Sequence, residues 1–212
     1  MAGAISPTSI MPSGIVLVLS APSGAGKSTL CQALADRRAD IRLSVSCTTR
    51  PPRPMEVNGK DYYFVSEKEF QAKIKNGELL EWAQVHGHYY GAPKAPIEAH
   101  RQNGLTVVMN IDTQGAQSVK KVFPDSVLVF VSPPSWDVLE GRLRGRNQDT
   151  EATIQRRLAN ARAEMEQAPL YDYLVVNDNI ETAVEDLLAI LRAEHRRIKR
   201  LGPDLLRGGF PT

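Results

Sequence analysis

Four short β-branched or apolar runs, at residues 15–19, 105–111, 127–131 and 174–176, lack the polar alternation of a strand with one wet face. A strand covered on both sides has no reason to alternate, so these runs predict buried parallel strands. Between them the apolar spacing turns helical. It is clearest over residues 182–201, where Val184, Leu187, Leu188, Leu191 and Ile198 fall on one face and predict a single amphipathic helix. Strands alternating with helices imply an α/β layer architecture.

Two stretches break that rhythm. Residues 44–94 carry Tyr62, Tyr63, Phe64, Trp82, Tyr89 and Tyr90 among several Gly and Pro, which predicts short antiparallel strands rather than another βα unit. Residues 136–168 are rich in Arg and mostly helical in pattern, with Ile154, Leu158, Ala161 and Met165 on one stripe. A chain of 212 residues accommodates one core with such insertions.

Composition narrows the classes of function. With 26 Lys and Arg against 24 Asp and Glu, the net charge of +2 sets up no global field for nucleic acid or a membrane surface, and neither is expected as a partner. Cys31 and Cys47 lack metal-ligand spacing and form no disulfide framework, which fits a reducing cytoplasm. No apolar run is long enough to cross a bilayer, and residues 1–13 lack the pattern of a signal peptide and read as a mobile tail.

The first apolar run leads into Ser20-Ala-Pro-Ser-Gly-Ala-Gly-Lys-Ser-Thr-Leu30, followed by a helical pattern. This is a phosphate loop in its required context: successive backbone N–H groups and a helix N-terminus cradle phosphate oxygens. Ala21, Pro22, Ser23, Gly24, Ala25, Gly26, Lys27, Ser28 and Thr29 are the expected ATP-phosphate contacts. Lys27 is expected on the β- and γ-phosphates, and the Ser28 hydroxyl on Mg²⁺. Ala21 stands where the GxxxxGK[ST] pattern has its first glycine. Such a loop alone leaves GTPases, ATPases and small-molecule kinases open. Asp112 to Gly115 matches the DxxG element of GTPases, but their base-reading NKxD element is absent.

The remaining motifs are more specific. Ser44-Val-Ser-Cys-Thr-Thr-Arg-Pro-Pro-Arg53, Glu56-Val-Asn-Gly-Lys-Asp-Tyr-Tyr-Phe64, Glu81-Trp82, Tyr89-Tyr-Gly91 and Ile111-Asp-Thr-Gln-Gly115 occur in that order. Together with the loop and the later Arg142, Arg146 and Arg157, they resemble the signature of guanylate kinases over about residues 14–194. The resemblance implies a P-loop kinase core with a five-stranded parallel sheet flanked by helices, formed by residues 14–45, 96–135 and 169–201. It further implies a small mixed α/β GMP-binding insertion at 46–95 and a helical lid at 136–168, with 202–212 as a C-terminal tail.

The activity it implies is transfer of the γ-phosphate of ATP to GMP, with Mg²⁺, in purine nucleotide metabolism. Arg50 and Arg53 then grip the GMP phosphate, assisted by the Tyr62 and Tyr90 hydroxyls. By alternation one member of each tyrosine pair should face away, which in this assignment leaves Tyr63 and Tyr89 structural. Ser46, Glu81 and Asp112 line the guanine pocket, with Glu81 as the base reader. Arg142, Arg146 and Arg157 fold over the ATP phosphates, and Asn177 lies near adenine. Two further departures from the family pattern are Ala92, in place of a Ser or Thr, and Asn110, where an acidic residue is frequent. Lys27, Ser28 and the lid arginines are all retained, which argues against a non-catalytic binding module. Glu81 within its insertion argues against an adenylate or thymidylate kinase. The four histidines show no ligand spacing.

Overall fold

The computed structural model describes residues 13–85, 87–145 and 150–201. Arg146 and the two predicted tails, apart from Ser13, lie outside the described residues.

A five-stranded parallel sheet forms the centre, in the order β2 (Ile41–Leu43), β7 (Thr106–Asn110), β1 (Val16–Ser20), β8 (Val127–Ser132), β9 (Tyr173–Val176). The apolar runs thus become strands, within a residue or so of their predicted limits. The fifth, β2, is too short to have announced itself. Along β1 successive side chains enter different cores: Leu17 and Leu19 join one apolar cluster, Val16 and Val18 the other. That two-sided burial is why the sequence does not alternate.

On one face pack α1 (Lys27–Arg37) and α7 (Ile180–His195), which bring in Leu30, Leu34, Val184, Leu187 and Leu191. On the other lie α3 (Lys94–Gln102) and α4 (Thr113–Val122), with Ile97, Ala116 and Val119.

The helix predicted over 182–201 is two helices. After α7, Arg197 and Arg200 fold back onto the buried Glu194, which also accepts a hydrogen bond from the Tyr173 hydroxyl at 2.7 Å. The chain resumes as the short α8 (Ile198–Leu201), and Ile198 is 77% exposed instead of sharing the apolar face. An ion-pair network overrides the periodicity there.

A second sheet, in the order β4 (Tyr63–Phe64), β3 (Cys47–Thr48), β6 (His88–Pro93), β5 (Leu79–Val85), rises from the core. It is mixed rather than wholly antiparallel, because β3 and β4 run parallel while β6 opposes both β3 and β5. Helix α2 (Glu67–Lys75) crosses between β4 and β5, started by a capping box of Ser66 and Glu69. Helices α5 (Trp136–Arg144) and α6 (Glu151–Met165) pack together through Leu139, Leu143, Leu158 and Ala161.

Candidate active site

The carboxyl ends of the central strands converge on the phosphate loop, the usual crevice of an open parallel sheet. The loop's left-handed turns fall on Gly24 (φ 94°) and Gly26 (φ 84°), and Gly26 is the residue from which α1 starts. Ala21 is buried and its methyl joins the apolar core, a use of that position that asks nothing of a glycine. Lys27 donates to the Ile111 carbonyl at 2.6 Å, and burial holds its pKa below the ordinary lysine value. Asp112, Glu164 and Glu81 are near enough to oppose that shift by their charge. The Ser28 hydroxyl is exposed and accepts from Asn110 Nδ2 at 2.9 Å. Ser20, at the end of β1, donates to the Asp112 carbonyl at 3.2 Å, which ties the loop's strand to the turn after β7.

Asn177, expected near adenine, lies against the phosphate loop. It is buried, it donates from Nδ2 to the Ala25 carbonyl at 2.7 Å, and a Cβ on Gly26 would come within 2.6 Å of that nitrogen. Its side chain therefore props the loop from beneath. Arg142 reaches the same place from α5, donating from Nη2 to the Asn177 carbonyl at 3.0 Å, while its Nη1 is buried without a partner among the described residues. A guanidinium nitrogen so placed is a donor in want of an anion. Leu139 and Leu143 lie close against Gly24, so α5 rests directly on the loop. Arg157 is half-buried on α6.

The second cluster lies in the insertion. Arg50 sits 5.5 Å from the Tyr62 ring centre, and the rings of Tyr62 and Tyr90 meet edge to face at 6.0 Å. Hydrogen bonds to Glu56 and, more weakly, to Tyr90 hold the Arg50 pKa above its ordinary value. Tyr89 instead stacks on Phe70, and Tyr63 lines a groove with Cys47 and Lys94, on the other side of the sheet. Arg53 is exposed. Ser46 is half-buried just before β3, its carbonyl accepting the Tyr63 N–H at 2.9 Å. Glu56 was visible in the sequence as part of a motif but its task was not; it binds Arg50 Nη2 and the Arg53 backbone N–H, both at 2.7 Å.

Between the clusters, Glu81 on β5 and Asp112 at the head of α4 meet across Gly115. A Cβ there would lie 3.3 Å from Glu81 Oε2 and 3.4 Å from Asp112 Oδ1. Asp112 also caps α4, accepting the Gly115 N–H at 2.8 Å. Burial, then the Asp112 charge, pushes the Glu81 pKa up to about 7, against a hydrogen bond from the Ala92 N–H. Ala92 thus contributes through its backbone. Glu164, which the sequence did not single out, faces the phosphate loop from α6.

Comparison with known proteins now has a geometry to explain. The chain matches the guanylate kinase family model over residues 13–194. It belongs to the guanylate kinase family. A guanylate kinase of Maricaulis maris is 50% identical over 189 residues, covering 89% of this chain and 86% of that one. One from Symbiobacterium thermophilum is 45% identical over 195 residues, covering 92% of each. The crystal structure of guanylate kinase from Anaplasma phagocytophilum superposes with a TM-score of 0.75 at 35% identity, covering 95% of this chain and 97% of that one.

Proposed function

We propose that the chain transfers the γ-phosphate of ATP to GMP, giving ADP and GDP, as a cytoplasmic enzyme of purine nucleotide metabolism. The observation that carries this reading is the Glu81–Asp112 pair across Gly115, set between a phosphate loop and an arginine–tyrosine cluster. Guanine carries adjacent N1–H and amino donors, and a carboxylate pair is the matching acceptor.

Phosphoryl transfer asks the protein to align two anions, neutralise them and exclude water. In this reading Arg50, Arg53, Tyr62 and Tyr90 hold the acceptor phosphate, with Ser46 at the base. The backbone of residues 21–29 and Lys27 hold the donor. Arg142 supplies from the lid its Nη1, which meets no partner among the described residues, with Arg146 and Arg157 as further lid cations and Asn177 holding the loop near the adenine. No general base is needed, since the attacking phosphate oxygen is already ionised near neutral pH.

Mg²⁺ fits the donor set. It favours oxygen ligands, mostly phosphates and water with one or two from protein, and Ser28 offers an exposed hydroxyl oxygen next to Asp112. Bound there, the ion would neutralise phosphate charge. Asn110, a neutral amide, orients that hydroxyl without adding charge of its own.

ADP formation from ATP, measured with GMP, AMP, UMP and dTMP in turn, tests the proposal. GMP should be the efficient acceptor. Equal turnover with AMP or UMP would overturn it.

A further inference from the structure

Glu164 is the one lid carboxylate that reaches the phosphate loop among the described residues. It lines the same cavity as residues 21–24 and 26–29, and also the neighbouring cleft with Asp112, Gln114 and Gln117. Burial holds its pKa above the ordinary carboxylate value, against the Ser23 backbone N–H of the loop's anion cradle and the Lys27 ammonium, both near enough to favour its charge. Its Oε2 is buried and meets no hydrogen-bond partner among the described residues. A carboxylate with an open lone pair, removed from water and aimed at an anion cradle, stands where a phosphate oxygen would be at home. The same lid is seated on the loop by Leu139 and Leu143, and Arg142 ties it to the Asn177 carbonyl.

We propose that Glu164 is a charge latch: in the nucleotide-free protein it occupies part of the phosphate cradle on behalf of the lid, and an entering polyphosphate must displace it. Two anions cannot share one set of backbone donors without mutual repulsion, so donor binding and movement of α6 are linked through this side chain. Glu164 is thereby a positioning residue that sets how much negative charge a ligand needs to enter the loop. The inference rests on the loop being the donor-phosphate site.

The test is calorimetric titration with inorganic tripolyphosphate, which carries the phosphate chain without a base. Wild type, Glu164→Gln, Glu164→Asp and Lys27→Ala are compared, each shown by circular dichroism to be folded. Glu164→Gln keeps shape and acceptor but loses the charge, and should bind the probe more tightly by at least about fivefold, the lower end of typical coupling between sites. Glu164→Asp, which keeps the charge on a shorter stem, should fall between. In steady state Glu164→Gln should lower KM for ATP more than it changes kcat, a split that loss of mere packing would not give. Equal or weaker tripolyphosphate binding by Glu164→Gln, while Lys27→Ala abolishes binding, overturns the latch and leaves the donor site standing. Undiminished binding by Lys27→Ala overturns both.

Discussion

Arg50 and Glu56 form an ion pair at 2.7 Å with side chains only 14% and 17% exposed, and the second Glu56 oxygen takes the Arg53 backbone N–H. One carboxylate therefore fixes the turn that carries both arginines proposed to grip the acceptor phosphate. It also holds Arg50 against the Tyr62 ring before any substrate arrives. A bidentate guanidinium is useful only if its plane is already set.

Replacing Glu56 by Gln keeps one acceptor but frees the guanidinium to swing. KM for GMP should rise on the order of tenfold to a hundredfold, the scale of a misplaced binding group, with KM for ATP nearly unchanged. Steady-state kinetics varying each substrate separately measures this. A parallel rise for ATP would show that the pair supports the fold as a whole instead of the acceptor site.

In the proposed reaction Lys27 and Arg142 act on the donor side by different routes, one from the loop and one from α5. Each replaced by Ala should leave a folded protein whose kcat is lowered by about 10² or more, since cations that meet the transferred phosphate are worth up to about 10³ to 10⁵ in rate. Arg142→Ala also removes the donor to the Asn177 carbonyl, so a small drop in Tm should accompany it. A folded Lys27→Ala protein with normal turnover would remove the kinase reading.

Legibility in the sequence followed the locality of the signal. The strands of the core were readable because burial on both faces leaves continuous apolar runs, as in 127–131, and the phosphate loop because its contacts come from one contiguous segment. Alternation predicted that one member of each tyrosine pair faces away, the family resemblance chose Tyr62 and Tyr90 for the site, and the rings divide that way. What stayed hidden depends on partners far apart in sequence. Asn177 reaches Ala25, Glu164 reaches the cavity of the phosphate loop, and Arg197 and Arg200 end a helix by turning back to Glu194. A buried ion-pair network leaves no periodic trace, so residues 182–201 read as one helix.

Gly26 offers a test of the loop's support. It has φ 84°, and a Cβ would meet Asn177 Nδ2 at 2.6 Å. Gly26→Ala therefore adds a left-handed penalty of about 1 to 2 kcal/mol to a steric clash. For a domain of this size that amounts to roughly 2 to 8 °C in Tm before the clash is counted. Combining it with Asn177→Ala should recover the steric part but not the backbone part, and donor binding should remain weak in both. Thermal unfolding of the two single variants and the double variant measures the coupling. Strict additivity would mean that the two residues do not meet.

The final prediction joins pH to base choice through Glu81. Its pKa in the folded protein, about 7 against an ordinary 4.5, means that the fold binds this proton more tightly than the unfolded chain does. Ionisation therefore costs the ligand-free protein stability between roughly pH 4.5 and 7, on the order of 3 kcal/mol once complete. Guanine reverses the preference, because N1–H and the amino group need an ionised acceptor. GMP affinity should rise from pH 6 to 8, with proton release on binding near pH 7, measured by calorimetry in buffers of different ionisation enthalpy. The GMP phosphate titrates near pH 6 and adds its own rise, which Glu81→Gln should retain while losing the Glu81 part. AMP presents a bare N1 to the carboxylate and should be nearly inert, since sites built on such bonds reject the wrong partner by up to about 10⁴ to 10⁵. IMP keeps N1–H but lacks the amino group; it should lose one charge-assisted bond, about 1.5 to 3 kcal/mol, and fall between GMP and AMP. Glu81→Gln should weaken GMP and narrow its lead over AMP, because an amide can donate as well as accept. If IMP equals GMP in kcat/KM, or if Glu81→Gln leaves both the ranking and the proton release untouched, Glu81 is not the group that reads the base.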